Sequence, residues 1–273
     1  MSNVINNFQL FNLPTCTLSK TTNNKQQITM TTTYNPYLVI LSAVIAVLAS
    51  YTALELSGRV TSSRGLNRKF WLTAGAISMG TGIWAMHFIA MLAFSIPIFI
   101  SYNLAIVLVS LIATILACWQ ALYIVSRPRP SLMTLLAGSS SMGIGIAIMH
   151  YSGMAAMQMP ATVRYQPSLF LLSVVIAITV SFVALKLSIG FREKAGRKWS
   201  KLATACIMGG AVLSMHYTGM AAAIFKPDIT KLVQAAGLDN LSLAYIVCLF
   251  TLLIMCITLA TMYINSEPGS FQR

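Results

Sequence analysis

Seven apolar runs, each about twenty residues or longer, limit what this chain can become, because about that length crosses a bilayer as a helix. They are roughly Pro36–Leu56, Phe70–Phe94, Tyr102–Val125, Ser131–Met157, Ser168–Ile189, Leu202–Phe225 and Leu241–Ile264. In lipid, each backbone N–H and C=O must find its partner inside the protein, so each run reads as a helix. Apolar residues continue around all faces of each run, unlike the single stripe of a soluble amphipathic helix. Composition agrees. With 57% hydrophobic residues, 8% charged and a mean hydropathy of +0.76, the chain lacks the charge that a soluble surface needs. The expected fold is all-α, a polytopic membrane protein of seven transmembrane helices.

The flanks are different. Residues 1–35 are polar, rich in Thr and Asn and without periodicity, and read as a disordered tail. No basic start precedes an apolar core there, so the segment is not a signal peptide. Met30, just ahead of the first span, is an alternative start. Residues 36–264 form the membrane domain, and 265–273 a short tail.

A net charge of +13 would suggest nucleic acid as the partner of a soluble chain. Here the positive residues sit in short loops between spans, so they read as topology signals, with membrane lipid as the surroundings and no nucleic acid. Arg59, Arg64, Arg68 and Lys69 lie between spans one and two, and Arg127 and Arg129 between three and four. The fifth-to-sixth loop holds Arg192, Lys194, Arg197, Lys198 and Lys201 against Glu193. The alternate loops are neutral or balanced: Ser95–Ser101 has no charge, the next has Arg164, and the last sets Lys226 and Lys231 against Asp228 and Asp239. The positive-inside rule then puts the N-terminus outside and the C-terminus in the cytoplasm. Glu55, the one acid within a span, is expected to pair near the cytoplasmic surface with Arg59.

Within this frame one phrase occurs three times. It reads Met149-His150-Tyr151-Ser152-Gly153-Met154, then Met215-His216-Tyr217-Thr218-Gly219-Met220, and more loosely Met86-His87-Phe88-Ile89-Ala90-Met91. These copies hold all three histidines of the chain. His150 follows His87 by 63 residues and His216 follows His150 by 66, a repeat of one helical hairpin with the seventh span left over. The repeat extends upstream through Met79-Gly80, Met142-Gly143 and Met208-Gly209. Glycines inside spans let helices approach closely, which predicts tight packing of spans two, four and six. All three of those spans run outward, and at 1.5 Å rise per residue each histidine lies about 22–28 Å up, level with the others in the outer leaflet.

On a helix, a histidine and the methionine four residues later share one face. His87 with Met91, His150 with Met154 and His216 with Met220 are therefore nitrogen-plus-thioether pairs, while Met86, Met149 and Met215 pack or supply a further sulfur. Imidazole with thioether suits copper, especially Cu(I), because soft sulfur favours a soft metal. Zinc would call for Cys or carboxylate beside His, and no carboxylate is near. Methionines in one span would be core packing, and one histidine an interhelical hydrogen bond. The same neighbours three times at one depth favour a shared site. Phe88, Tyr151 and Tyr217 are expected to pack around the ligands, and Trp84 with the tyrosines near span ends to form an aromatic belt. Cys118, Cys206, Cys248 and Cys256 lie in apolar runs as small hydrophobes, and with Cys16 they form no CxxC or haem-attachment pattern.

The repeated Met-His-Tyr with Gly-Met-Ala, across seven spans from about Tyr34 to Ile264, resembles the MHYT family of bacterial membrane proteins. The resemblance implies a copper-binding sensor domain of the bacterial inner membrane that detects oxygen, carbon monoxide or nitric oxide near the outer face. It implies site residues Met86, His87, Met91, Met149, His150, Met154, Met215, His216 and Met220, with Tyr151 and Tyr217; Phe88 stands where the first copy would have tyrosine. Family members are often fused to cytoplasmic cyclic-di-GMP enzymes or histidine kinases, whereas only Asn265 to Arg273 follow the last span here. The expected function is thus a non-enzymatic sensor of a small diatomic ligand that relays to a separate cytoplasmic signalling partner. A membrane copper oxidoreductase is the second reading. Copper transport or buffering is third, because the ligands cluster at one depth. Haem between two histidines is the alternative cofactor.

Overall fold

The computed structural model describes residues 32–193, 198–228 and 237–264. Most of the N-terminal tail, the C-terminal tail, Cys16 and Lys231 fall outside the described residues. Seven long helices appear where the apolar runs predict them: α1 (Pro36–Ser62), α2 (Gly65–Ala93), α3 (Leu104–Val125), α4 (Leu132–Ala155), α5 (Pro167–Glu193), α6 (Lys198–Ala222) and α7 (Asn240–Ile264). Starts follow local chemistry. Asn35 Oδ1 accepts from the Tyr37 N–H at 3.0 Å with Pro36 opening α1, Asn103 caps α3, and Ser131 caps α4. At the basic end the helices outrun the apolar pattern: α1 continues past Leu56 to Ser62, and α2 begins at Gly65, ahead of Phe70. Six of the seven are long and apolar enough to cross a membrane on that basis alone. α6, diluted by Lys201, Thr204, Gly209, Gly210 and Ser214, has matching length and packs between α1 and α5.

α1 to α6 close into a ring in which each helix packs on the next and α6 returns to α1, while α7 lies outside against α2. Covered on that side too, α2 is the most enclosed, with every residue from Ser78 to Met91 buried. Glycines set the spacing, and they do so by repeat. A Cβ on Gly80 would meet the Ile115 backbone of α3 at 2.8 Å, one on Gly143 the Ile178 backbone of α5 at 2.6 Å, and one on Gly209 the Val47 backbone of α1 at 2.9 Å. Each motif helix thus presses on one neighbour of the ring at the same step of the repeat.

Short antiparallel pairings, absent from the sequence reading, close the end opposite the basic loops. β1 (Thr33–Tyr34), inside the segment assigned to the tail, pairs with β2 (Phe94–Ser95). β3 (Ser101–Tyr102) lies between β4 (Met157–Gln158) and β7 (Leu238–Asp239), and β5 (Ala161–Tyr165) pairs with β6 (Ala223–Pro227). They join the segments that follow α2, α4 and α6 to the other connections at that end, and satisfy backbone groups the helices leave open.

Three expectations need correction. The motif helices α2, α4 and α6 do not pack chiefly on one another: they alternate with α1, α3 and α5 around the ring, and Gly80, Gly143 and Gly209 meet those neighbours instead. Glu55 pairs with Lys201 of α6, while Arg59 sits over the Trp71 ring and donates to the Met262 carbonyl. The pairing partner lies 146 residues away, beyond any local pattern. Trp84 belongs to no interfacial belt. It is buried, and its Nε1–H bonds the Val107 carbonyl at 3.2 Å and Ser110 Oγ at 3.1 Å.

Gly143→Ala is expected to cost about 1–3 kcal/mol of stability, the scale of overpacking a tight contact. Gly210→Ala, where nothing lies within 4 Å of an added Cβ, should be neutral or gain up to about 1 kcal/mol from helix propensity. Thermal unfolding of both variants in detergent measures the contrast. Glu55→Gln should cost about 1 kcal/mol or less in the same assay, because the pair is partly solvated.

Candidate metal centre

His87, His150 and His216 stand close to the ends of their helices, which finish at Ala93, Ala155 and Ala222. The ring of helices turns those three positions inward, and the imidazoles meet on its axis. His87 Nδ1 lies 3.1 Å from His216 Nδ1 and 3.2 Å from His150 Nδ1. The ring centroids form a near-equilateral triangle with sides of 5.0, 5.1 and 5.1 Å, each pair edge-on. All three side chains are at most 1% exposed. The expected convergence at one level is therefore what the structure has.

Two of these rings rest in seats made by glycine. The imidazole of His87 lies against Gly153 of α4, and that of His150 against Gly219 of α6, so closely that a Cβ at either glycine would collide with Nε2. Both glycines sit three residues after the motif histidine of their own copy. The second and third repeats thus each hold a histidine and, one turn on, the space for the histidine of the preceding repeat. Ala90 occupies the corresponding position in the first copy.

Hydrogen-bond chemistry of the apolar centre favours a central guest. Between neutral imidazoles, each Nδ1···Nδ1 contact needs one N–H and one lone pair. His87 Nδ1 faces both of the others, so a single proton or a single lone pair there has to serve two contacts. The three Nε2 atoms have no hydrogen-bond partner among the described residues. A cation on the axis would accept all three Nδ1 lone pairs at once and fix Nε2–H as the tautomer. The spacing fits: ligands about 2.0 Å from a tetrahedral ion sit about 3.3 Å apart, close to the 3.1 and 3.2 Å observed. Among the described residues the cluster contains no carboxylate or cysteine. Rings this close leave no slot for a porphyrin between them.

Phe88, Tyr151 and Tyr217 each stand edge-on to the preceding histidine, at 4.9, 4.8 and 5.0 Å. The Tyr151 hydroxyl is bonded to Ser173 Oγ of α5 at 2.6 Å. Met86, Met91, Met149, Met154, Met215 and Met220 are all buried. Met220 and Tyr217 line a groove at the strand end with Tyr34, Phe94 and Phe225. Met86 borders an internal cavity on the other side of the histidine layer, with Met79, Met142 and Met208. These last three were legible only as a repeated word, since nothing local says that they share a space. In the strand cap, burial raises the Tyr102 phenol above its usual value, and burial with the nearby Tyr151 pushes Tyr165 up to about 12. Both stay protonated near neutral pH.

Comparison with known proteins agrees with the geometry. A family profile described as "MHYT: Bacterial signalling protein N terminal repeat" matches residues 26–68, 80–138 and 143–203, which include His87 and His150 and stop short of His216. The bifunctional diguanylate cyclase/cyclic di-GMP phosphodiesterase MucR of Pseudomonas aeruginosa is 41% identical over 86% of this chain and 34% of its own length. The cyclic di-GMP phosphodiesterase NbdA of the same organism is 43% identical over 78% of this chain and 28% of its own. The signaling protein YkoW of Bacillus subtilis is 38% identical over 88% and 30%. The chain spans about a third of the length of these curated relatives. No solved structure matches it. Three converging repeats and a family match over more than half of its length give one conclusion: this multi-pass membrane chain belongs to the MHYT family of bacterial signalling proteins.

Proposed function

We propose that this chain is a sensory membrane domain in which His87, His150 and His216 hold one copper ion through Nδ1 and register a diatomic gas or redox signal near the outer face. The observation that supports the reading is the approach of His87 Nδ1 to His216 Nδ1 and His150 Nδ1, at 3.1 and 3.2 Å, with all three rings buried. Imidazole donors among buried methionines favour copper, which also leads the affinity order of the divalent metals. A copper ion held by these three residues would supply a redox-active centre able to bind oxygen, carbon monoxide or nitric oxide. Gly153 and Gly219 keep two of the rings in place, and Phe88, Tyr151 and Tyr217 wall the site from water and lipid.

The relay runs along the chain itself. α2 carries His87 near one end and opens, at the other, beside the basic residues Arg59, Arg64 and Arg68. It contacts α1, α3 and α7, so a shift of His87 is felt by three neighbours. By the positive-inside rule the basic end is cytoplasmic, and the match to bacterial signalling proteins suggests the inner membrane. The cyclic-di-GMP enzymes among the relatives suggest an output partner of that class, reached at the basic end.

By metal analysis, purified protein is expected to hold about one copper per chain more than the His87→Ala/His150→Ala/His216→Ala variant. Carbon monoxide or nitric oxide should change the optical spectrum of the reduced wild type alone. Equal copper in both proteins, or zinc in its place, would overturn the reading. Gly153→Ala, which drives a methyl into the His87 ring, should weaken copper binding about tenfold or more, the scale seen when a ligand's support is lost. A copper titration against a competing chelator measures it.

A further inference from the structure

Eight residues before each histidine, the chain has a methionine: Met79, Met142 and Met208. All three are buried, and all three line one internal cavity of about 20 Å³, joined there by Met86. Methionine is the flexible side chain that ordinarily closes a gap of this kind. Here four of them surround a gap that stays open. Each of the three repeat-related methionines also precedes a glycine clamped on a neighbouring backbone, Gly80, Gly143 or Gly209. The helices that carry these methionines are therefore held at fixed spacing about the axis.

The cavity has room for about one water, but a water needs two to four polar partners. Ser50 is the polar side chain in its lining, and its hydroxyl already donates to the Ala46 carbonyl at 2.8 Å. No carboxylate, imidazole or thiol borders the space. The donors it offers are thioethers, which select soft, low-charge metal ions. Eight residues of rise, about 12 Å, separate this layer from the histidines, so the two layers can be filled independently.

We propose that Met79, Met142 and Met208 form a second site, which seats one soft monovalent cation of the Cu(I)/Ag(I) class below the histidine layer. The bundle axis then carries a nitrogen tier and a sulfur tier, and the sulfur tier stands or falls apart from the proposed sensor centre.

Silver, which keeps one oxidation state, is the probe. The full chain in detergent should bind one more equivalent of Ag(I) than the Met79→Leu/Met142→Leu/Met208→Leu variant. X-ray absorption at the silver edge should lose sulfur neighbours in that variant. Leucine conserves volume and apolarity, and retention of the histidine-layer equivalent reports that the variant is folded. Met142→Leu alone, the milder change, should weaken the same equivalent at least about tenfold, the scale of a lost or misplaced ligand contact. The His87→Gln/His150→Gln/His216→Gln variant should keep the sulfur-tier equivalent, so failure of the sensor reading is told apart from failure of this one. Identical silver stoichiometry in wild type and both leucine variants would overturn the proposal. So would xenon filling the cavity at a silver concentration that saturates the histidine layer while no sulfur-bound silver is seen.

Discussion

Three imidazoles packed edge-on inside a membrane bundle, their Nδ1 atoms 3.1 and 3.2 Å apart, are an arrangement that the helices around them must hold in place. Polar nitrogens in a dry interior cost free energy unless something accepts or donates to them. The price is tolerated because the surrounding helices cannot relax outward. Gly80, Gly143 and Gly209 press the motif helices onto neighbouring backbones, and Gly153 and Gly219 leave room for a ring where any Cβ would evict it. The fold is in effect a clamp repeated three times, with α7 and the strand pairings closing what the repeat leaves open.

That logic also explains which helices face lipid. α2 carries its glycine, serine, threonine and histidine against protein and is enclosed almost entirely. α5 and α7 carry the long apolar surfaces, with Leu171, Leu172, Leu249, Leu252 and Leu253 exposed. In lipid such surfaces are at rest, and close packing of small residues supplies the association that a hydrophobic drive supplies in water.

Much of this was legible in the chain. Lipid demands long apolar helices, so the seven spans could be read directly, and the fixed spacing of His87, His150 and His216 on alternate spans implied one level. The parts that were not legible depend on distant partners or on one torsion. No pattern tells Nδ1 from Nε2 as the inward atom. Glu55 meets Lys201 rather than the nearby Arg59 because helix α6 closes the ring beside α1, a fact of topology. Trp84 read as an interfacial residue because its depth suited a belt, but a tryptophan facing α3 finds its partner at Val107 and Ser110 instead. Strands of two residues leave no alternating pattern to find. Met79, Met142 and Met208 were visible as a repeat, and only the closure of the ring shows that they border one space.

The central claim is that the three histidines act together through Nδ1 on a shared axis. Nitrogen-15 NMR of histidine-labelled protein, with and without Cu(I), tests it most directly, because each ring nitrogen reports its own proton or metal. Cu(I) should convert all three histidines to the Nε2–H form, with their Nδ1 signals displaced together in a single step. Rings that titrate separately, bind through Nε2 or keep mixed tautomers at saturation would contradict it.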